Sequence, residues 1–449
     1  MLAASILSAC TTVPGSASHQ PPIVWISLDT VRADHLDLYG GRAAMPTLAA
    51  FAKGAVVFDH AYSHFPQTQQ SHWSMFTSTL PEVHRYAADS MASPYGGVTL
   101  ASHLAANGYA TGAFIGGMTL TAQASHLQRG FDTYDDHGDW GMDRDLRPAP
   151  EVRAAAVKWM ADQDGAFFAF VHLFDAHSPY TPRDPRRYDT AYTGRADGSL
   201  AILRSQWDRP WMSQGDVDHV VALYDAELTE LDAELGPLLD ALPPEAIVVI
   251  SSDHGESFEH GYLLNHPEVV YDSVLHVPLV ISAPGSPPAR VAAQVGLMDV
   301  APTVLALAGL PPLPEAMGTP LLPQTTAHVP LYARSRAAPG GRALLAVRTP
   351  TEKGVFEEEG DSWAFDLVKD PDEDTRVPLS AALIGEERRY LSLVAPLLAL
   401  WPATPPTGGP PSELRLRLEA LGYSSGPGAP PPPPGAPPPP PGAPAGHPP

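Results

Sequence analysis

The chain has 449 residues, enough for one large domain and a smaller appendage, and 44% hydrophobic against 17% charged residues describes a globular protein with a sizeable core. Asp and Glu number 50 against 27 Lys and Arg, and a formal charge of -23 argues against nucleic acid as a partner. A single cysteine, Cys10, excludes an internal disulfide and a Cys-rich zinc site.

The chain opens on the short apolar run MLAASILSAC, and Leu7-Ser8-Ala9-Cys10 resembles the lipobox at which bacterial lipoproteins are cleaved and acylated, although a basic stretch before it is missing. The expectation is a signal and tether over residues 1–20, a lipid anchor at Cys10 and an exported, cell-envelope location; a chance Cys after small residues is the alternative. No other stretch is long and apolar enough to span a membrane. Residues 23–29, IVWISLD, predict a buried strand ending in an acid. Residues 46–53 predict a helix opened by Pro46, and GAVVFDHAYS a second strand. A helix begins within Ser71–Thr77. Residues 98–107 form a helix stopped by Gly108, YATGAFIG returns as a strand, 151–163 form a helix, and AFFAFVHLF is a further strand. Val217, Val220, Val221, Tyr224, Leu228, Leu231, Leu235 and Leu238 mark a long amphipathic helix over 216–242, ended by Pro243-Pro244. AIVVISSD and VPLVISAP read as strands, and VAPTVLALAG as a helix closed by Gly309.

Strands alternating with helices predict an α/β fold with a mostly parallel central sheet, whose ligands sit at the carboxyl ends of the strands. Asp29, Asp175 and Asp253 fall at or past such ends. Residues 21–330 read as this domain. Residues 331–423 read as a smaller α+β subdomain, with short strands in RALLAVRTP and SWAFDLV and helices near 377–401 and 412–421. Residues 424–449 read as a disordered, proline-rich tail.

Five motifs carry candidate chemistry. In SLDTVRADHLDLYG (27–40), Asp29 ends a buried strand and needs a partner; a cation serves, and so does a turn cap, with Arg32 pairing Asp34. SSDHGESFEHG (251–261) puts Asp253 and His254 after another strand. Two carboxylates and one imidazole favour Zn or Mn over Ca, which takes all-oxygen shells. In FPQTQQSHWSM (65–75), Thr68 just precedes a helix. It is an ordinary N-cap, or a nucleophile whose hydroxyl is activated by a metal beside a helix N-terminus that attracts anions. FVHLFDAHSPY (170–180) offers His172, Asp175 and His177, and LLNHPEVVYDSVLHVPL (263–279) offers His266 and His276; a lone histidine of this kind is usually structural.

The order of these segments, followed by VGLMDVAPTVLALAGL, WAFDLVKDPDED and LEALGY, resembles the sulfatase family of the alkaline phosphatase superfamily over residues 22–423. The resemblance implies an alkaline phosphatase-like sandwich with a smaller C-terminal subdomain. It also implies a metal-dependent ester hydrolase working by in-line displacement through a covalent enzyme ester. On this chain it implies Asp29, Thr68, Asp253 and His254 at the divalent metal. Thr68 stands as nucleophile, and His177 and His266 hold the transferred group. The departures are as informative. Sulfatases carry a Cys or Ser in C/S-x-P-S/A-R, oxidised to formylglycine, whereas this chain has Thr68-Gln69-Gln70-Ser71-His72. Asp29-Thr30 lacks the second acid of a calcium-type site, IGGMTL (115–120) lacks a lysine-histidine segment, and Asp89 stands where phosphonate hydrolases carry an asparagine.

These features favour cleavage of a phosphate ester, mono- or diester, through a covalent Thr68 intermediate. Sulfate ester hydrolysis, transfer of a phospho-head-group at the surface, and a non-catalytic surface binder of the same fold are the alternatives. The expected partner is a small or cell-surface anionic ester. A two-metal site using Asp175, His177 and His266 is a further alternative.

Overall fold

A computed structural model describes residues 20–87, 92–140, 146–208, 211–261, 266–323, 330–336 and 342–400. Cys10, Asp89, the helix expected near 412–421 and the proline-rich tail lie outside the described residues.

Eight strands form the central sheet. They are β1 (Ile23–Leu28), β2 (Val56–Tyr62), β3 (Ala110–Ile115), β4 (Thr133–Asp135), β5 (Phe167–Leu173), β6 (Ile247–Ser252), β7 (His276–Ser282) and β8 (Ala289–Gly296), in the order β4-β3-β5-β1-β6-β7-β2-β8. Only β7 runs against its neighbours β6 and β2. The middle strands are apolar along their whole length because both faces are covered, as an α/β sheet requires. Alternate side chains of β1 supply the two cores. Ile23 and Trp25 pack on one face with Phe76, Phe168 and Val249; Val24, Ile26 and Leu28 pack on the other with Val171, Leu228 and Leu231.

The long helix is Gln214–Leu239, and Ser213 caps it by accepting from the Asp216 N–H while the Asp216 carboxylate accepts in return. It ends three residues earlier than Pro243-Pro244 predict. The helix expected from Ser71 starts at Thr68 and runs to Thr77, so Thr68 is its first residue rather than its forerunner. The edge strands β4 and β8 were not legible: β4 has three residues, and β8 carries Arg290 on an exposed edge, so neither shows a long apolar run.

A second, antiparallel sheet holds β9 (Leu331–Arg334), β10 (Leu344–Arg348), β11 (Glu352–Glu357) and β12 (Ser362–Asp366), in the order β12-β11-β10-β9. A helix, Ala381–Leu398, follows it, against 377–401 expected. The fully buried Lys353 of β11 fastens this sheet to the segment before β7, donating to the Val270 carbonyl and to Asp272, each at 2.8 Å, and pairing with Glu373.

Candidate active site

Register builds the site. β1 lies between β5 and β6, and Leu28 pairs with Leu173 on one side and Ser252 on the other. The next residues on β1 and β6 are therefore Asp29 and Asp253, side by side at the carboxyl edge, and Asp29 N–H bonds the Leu173 carbonyl at 2.9 Å. Thr30 then turns the chain sharply at φ 56°, an uncommon region for a β-branched residue. Three contacts hold it there. Its N–H donates to Asp253 Oδ1 (3.3 Å), its carbonyl accepts from Tyr224 (2.8 Å), and its hydroxyl donates to the Asp29 carbonyl (2.8 Å). That last bond directs the Thr30 hydroxyl at backbone, so it does not replace the missing acid. Past β6, Gly255 lets the chain pass Ser273: a side chain there would sit 2.1 Å from the Ser273 carbonyl oxygen.

Metal-ligating atoms of Asp29, Asp253 and His254 all lie within 4.8 Å of one another, and all three residues are fully buried. Thr68 joins them, its hydroxyl donating to Asp29 Oδ2 (3.3 Å) and lying 3.1 Å from His254 Nε2. His254 Nδ1 faces the Gly255 carbonyl at 2.9 Å, so Nδ1 carries the proton and the Nε2 lone pair is turned to Thr68. Asp29 Oδ1 and Asp253 Oδ2 are buried and make no hydrogen bond. Burial, and after it the Asp253 charge, pushes the Asp29 carboxyl well above the ordinary range. Burial acts the same way on Asp253, but the imidazoles of His254, His72 and His172 bring it below that range. Two adjacent buried carboxylates with open oxygens, an imidazole lone pair and a hydroxyl fit a divalent cation.

The two remaining candidates meet at the same place. His177 Nε2 lies 3.1 Å from His266 Nε2, and the His266 ring is 4.7 Å from that of His254. His177 stacks on Phe174 at 4.4 Å and donates Nδ1–H to the Ser178 carbonyl at 2.8 Å. Burial lowers the His177 imidazole to about 4 and holds His266 well below the usual histidine range. The structure thus brings Asp29, Thr68, Asp253, His254, His177 and His266 into one buried cluster.

Asp175 is not in it. Both its carboxylate oxygens accept from the Ala149 N–H at 3.1 Å, at the start of the helix Ala149–Ala161, so the two-metal alternative loses its acid. His276 is also elsewhere, bonded to the Asp59 carbonyl and stacked on Tyr62. The two readings of the first motif coexist: Arg32 pairs with Asp34 through two bonds and with Glu259, while Asp29 faces the cluster.

Two further histidines underlie the cluster: His172, offered by its motif but outside the expected site set, and His72, which was not offered. His172 of β5 is 2.9 Å from Asp29 Oδ2. His72 stands where the sulfatase motif has arginine; it donates Nδ1–H to the Thr68 carbonyl (2.7 Å) and faces Ser27 Oγ (3.0 Å). Ser71 donates to the Asp253 carbonyl at 2.7 Å, so this helix turn is tied directly to the second acid. The available signal was a polar imidazole inside the otherwise apolar FFAFVHL.

The sulfatase family model matches residues 21–310. Arylsulfatase K of Bos taurus is 28% identical over 222 residues, 44% of this chain and 38% of that protein, so the chain spans well under two thirds of the curated relative's length. The phosphonate monoester hydrolase of Agrobacterium radiobacter superposes with a TM-score of 0.69 at 19% identity, covering 84% of this chain and 96% of the other. A 2-O GAG sulfatase superposes with a TM-score of 0.67 at 18% identity, covering 84% and 93%. The fold is shared with these solved structures, and the chain belongs to the sulfatase family.

Proposed function

We propose that the chain cleaves a phosphate ester through a covalent intermediate on Thr68. The observation that carries this reading is the Thr68 hydroxyl, 3.3 Å from Asp29 Oδ2 and 3.1 Å from His254 Nε2 at the first turn of a buried helix. Asp29, Asp253 and His254 would hold a divalent cation, with Thr68 beside it. When bound, that cation supplies Lewis acidity, which lowers the pKa of a nearby hydroxyl and offsets charge on an ester oxygen.

The chain's own residues supply the rest. The Thr68 proton is directed at Asp29 Oδ2, leaving the hydroxyl oxygen to attack phosphorus as the bond to the leaving oxygen breaks. Backbone N–H groups at the start of the helix Thr68–Thr77 point toward an anion there. His177 spends its Nδ1–H on Ser178, so the hydrogen between the two Nε2 atoms, 3.1 Å apart, belongs to His266 Nε2, which is placed to donate to a nonbridging oxygen while His177 orients it; the leaving oxygen takes its proton from water. Water then attacks the phospho-threonine and frees the hydroxyl.

Sulfate ester hydrolysis is the second reading, favoured by the arylsulfatase relatives. Threonine disfavours it, because formylglycine expels sulfate through its hydrate and threonine has none. The test is turnover of p-nitrophenyl phosphate, bis(p-nitrophenyl) phosphate and p-nitrophenyl sulfate by the full chain with Mn, with Zn and with EDTA. Metal-dependent turnover of a phosphate ester above the sulfate supports the first reading; the reverse order supports the second; no turnover of any ester supports a surface binder. The Leu7–Cys10 pattern supports envelope anchoring, and loss of labelled palmitate in Cys10→Ser checks it.

A further inference from the structure

We propose that His172 is a positioning residue that fixes the rotation of the Asp29 carboxylate, and so determines how strongly the chain binds a divalent cation. This rests on Asp29, Asp253 and His254 being the cation site.

His172 is fully buried on β5, in register with Ser27, one residue before the Leu28–Leu173 pair that precedes Asp29. Its Nε2 lies 2.9 Å from Asp29 Oδ2. Facing a carboxylate, that nitrogen is the donor. The ring is set by its neighbours: Phe170 lies parallel at 6.4 Å, Phe174 tilts against it at 5.8 Å, and His72 meets it edge-on at 5.4 Å. Its other nitrogen, Nδ1, is buried without a hydrogen-bond partner. A histidine kept only for packing would satisfy both nitrogens or give way to a phenylalanine like those on either side of it. This ring leaves one nitrogen unsatisfied and directs its single N–H at Asp29.

His72 provides the contrast. Its Nδ1 is 2.7 Å from the Thr68 carbonyl and 3.5 Å from Asp253 Oδ2, and its Nε2 is 3.0 Å from Ser27 Oγ. Both its nitrogens serve the helix start and β1, so only His172 of the pair bonds a ligand carboxylate. On Asp29 the division is plain. Oδ2 accepts from His172 and Thr68, while Oδ1 has no partner. Without the imidazole N–H the carboxylate can rotate, and the arrangement of its two oxygens relative to Asp253 and His254 is lost. Groups hydrogen-bonded to metal ligands in this way typically change metal affinity or activity by about 10–100-fold when removed.

The experiment is isothermal titration of Mn2+ into the EDTA-stripped full chain, for the wild type, His172→Phe and His172→Gln. Phe keeps the flat ring and removes the donor; Gln can place an amide N–H where Nε2–H stood. The expected result is Mn2+ affinity about 10–100-fold weaker in the Phe variant, largely restored in the Gln variant, with both melting cooperatively. If the Phe variant fails to fold, His172→Gln against His172→Asn carries the test, because the shorter amide falls short of Asp29 and should bind more weakly. Wild-type affinity in the Phe variant, or equal weakness in Phe and Gln, overturns the positioning role. A wild-type chain that binds neither Mn2+ nor Zn2+ overturns the cation site itself.

Discussion

Replacing Asp29 by Asn should reverse its stability relative to the wild type when metal is added. Without metal the native state keeps two fully buried carboxyls side by side, and burial with the Asp253 charge holds Asp29 well above its ordinary range. A carboxyl raised on folding binds more protons in the native than in the unfolded state. It therefore costs no stability at acid pH and progressively more as pH rises past the unfolded value toward the folded one. Asn removes that penalty: its carbonyl oxygen can still accept from His172 and Thr68, and its NH2 takes the place of the unpartnered Oδ1, near the Asp253 carboxylate. In EDTA at neutral pH the variant should melt above the wild type, with the gap closing near about pH 4. With Mn2+ at about 100 times its dissociation constant, the wild type gains about 2.7 kcal/mol by mass action and the variant almost nothing. For a chain of this size that is a rise of several degrees in Tm, so the order of the two curves inverts. Calorimetry at both pH values, with and without metal, reads all four states. A variant that melts below the wild type in EDTA at neutral pH, yet shows the full metal-induced rise, would refute the placement of Asp29.

Further outcomes follow from the same geometry. Thr68→Ala should lose turnover by roughly ten-thousand-fold or more while its circular dichroism is unchanged; retained turnover removes Thr68 from the chemistry. His177, lowered by burial to about 4, stays neutral above that value, so the wild-type pH profile of kcat/KM should show no limb from it near the ordinary histidine range, and His177→Gln should lower the profile without changing its shape between about pH 5.5 and 8. Lys353→Met leaves Asp272 and Glu373 without their buried ammonium and should destabilise the chain by roughly 3–5 kcal/mol, read by denaturant titration. Asp175→Ala should cost about 1 kcal/mol of stability through the lost helix-start contact and leave metal binding at the wild-type level, since Asp175 bonds Ala149 rather than a cation.

Much of this was legible in the chain because the site lies where buried strands end. IVWISL and IVVISS announce themselves as apolar runs, and an acid following each one cannot remain in an apolar layer without a partner. The long helix was equally visible from its Val and Leu spacing, apart from where it stopped: Leu239 ends it before the proline pair does. Register was not legible. Nothing in FFAFVHL says that His172 pairs with Ser27 and reaches Asp29, because that depends on which strands lie beside β1. The same holds for Asp175. It shares its motif with His177, but the turn after β5 sends one side chain to a helix start and the other to the cluster. His72 was read as a missing arginine; its neighbours, Ser27 and the Thr68 carbonyl, show it holding the turn beneath the nucleophile.

The most direct test is peptide mapping of the full chain, acid-quenched during turnover of bis(p-nitrophenyl) phosphate with Mn2+. The account predicts a phosphoryl ester on the peptide carrying Thr68, present with metal, absent in EDTA and absent from Thr68→Ala. Steady turnover with the adduct on another residue, or with none trapped at any quench time, would contradict it.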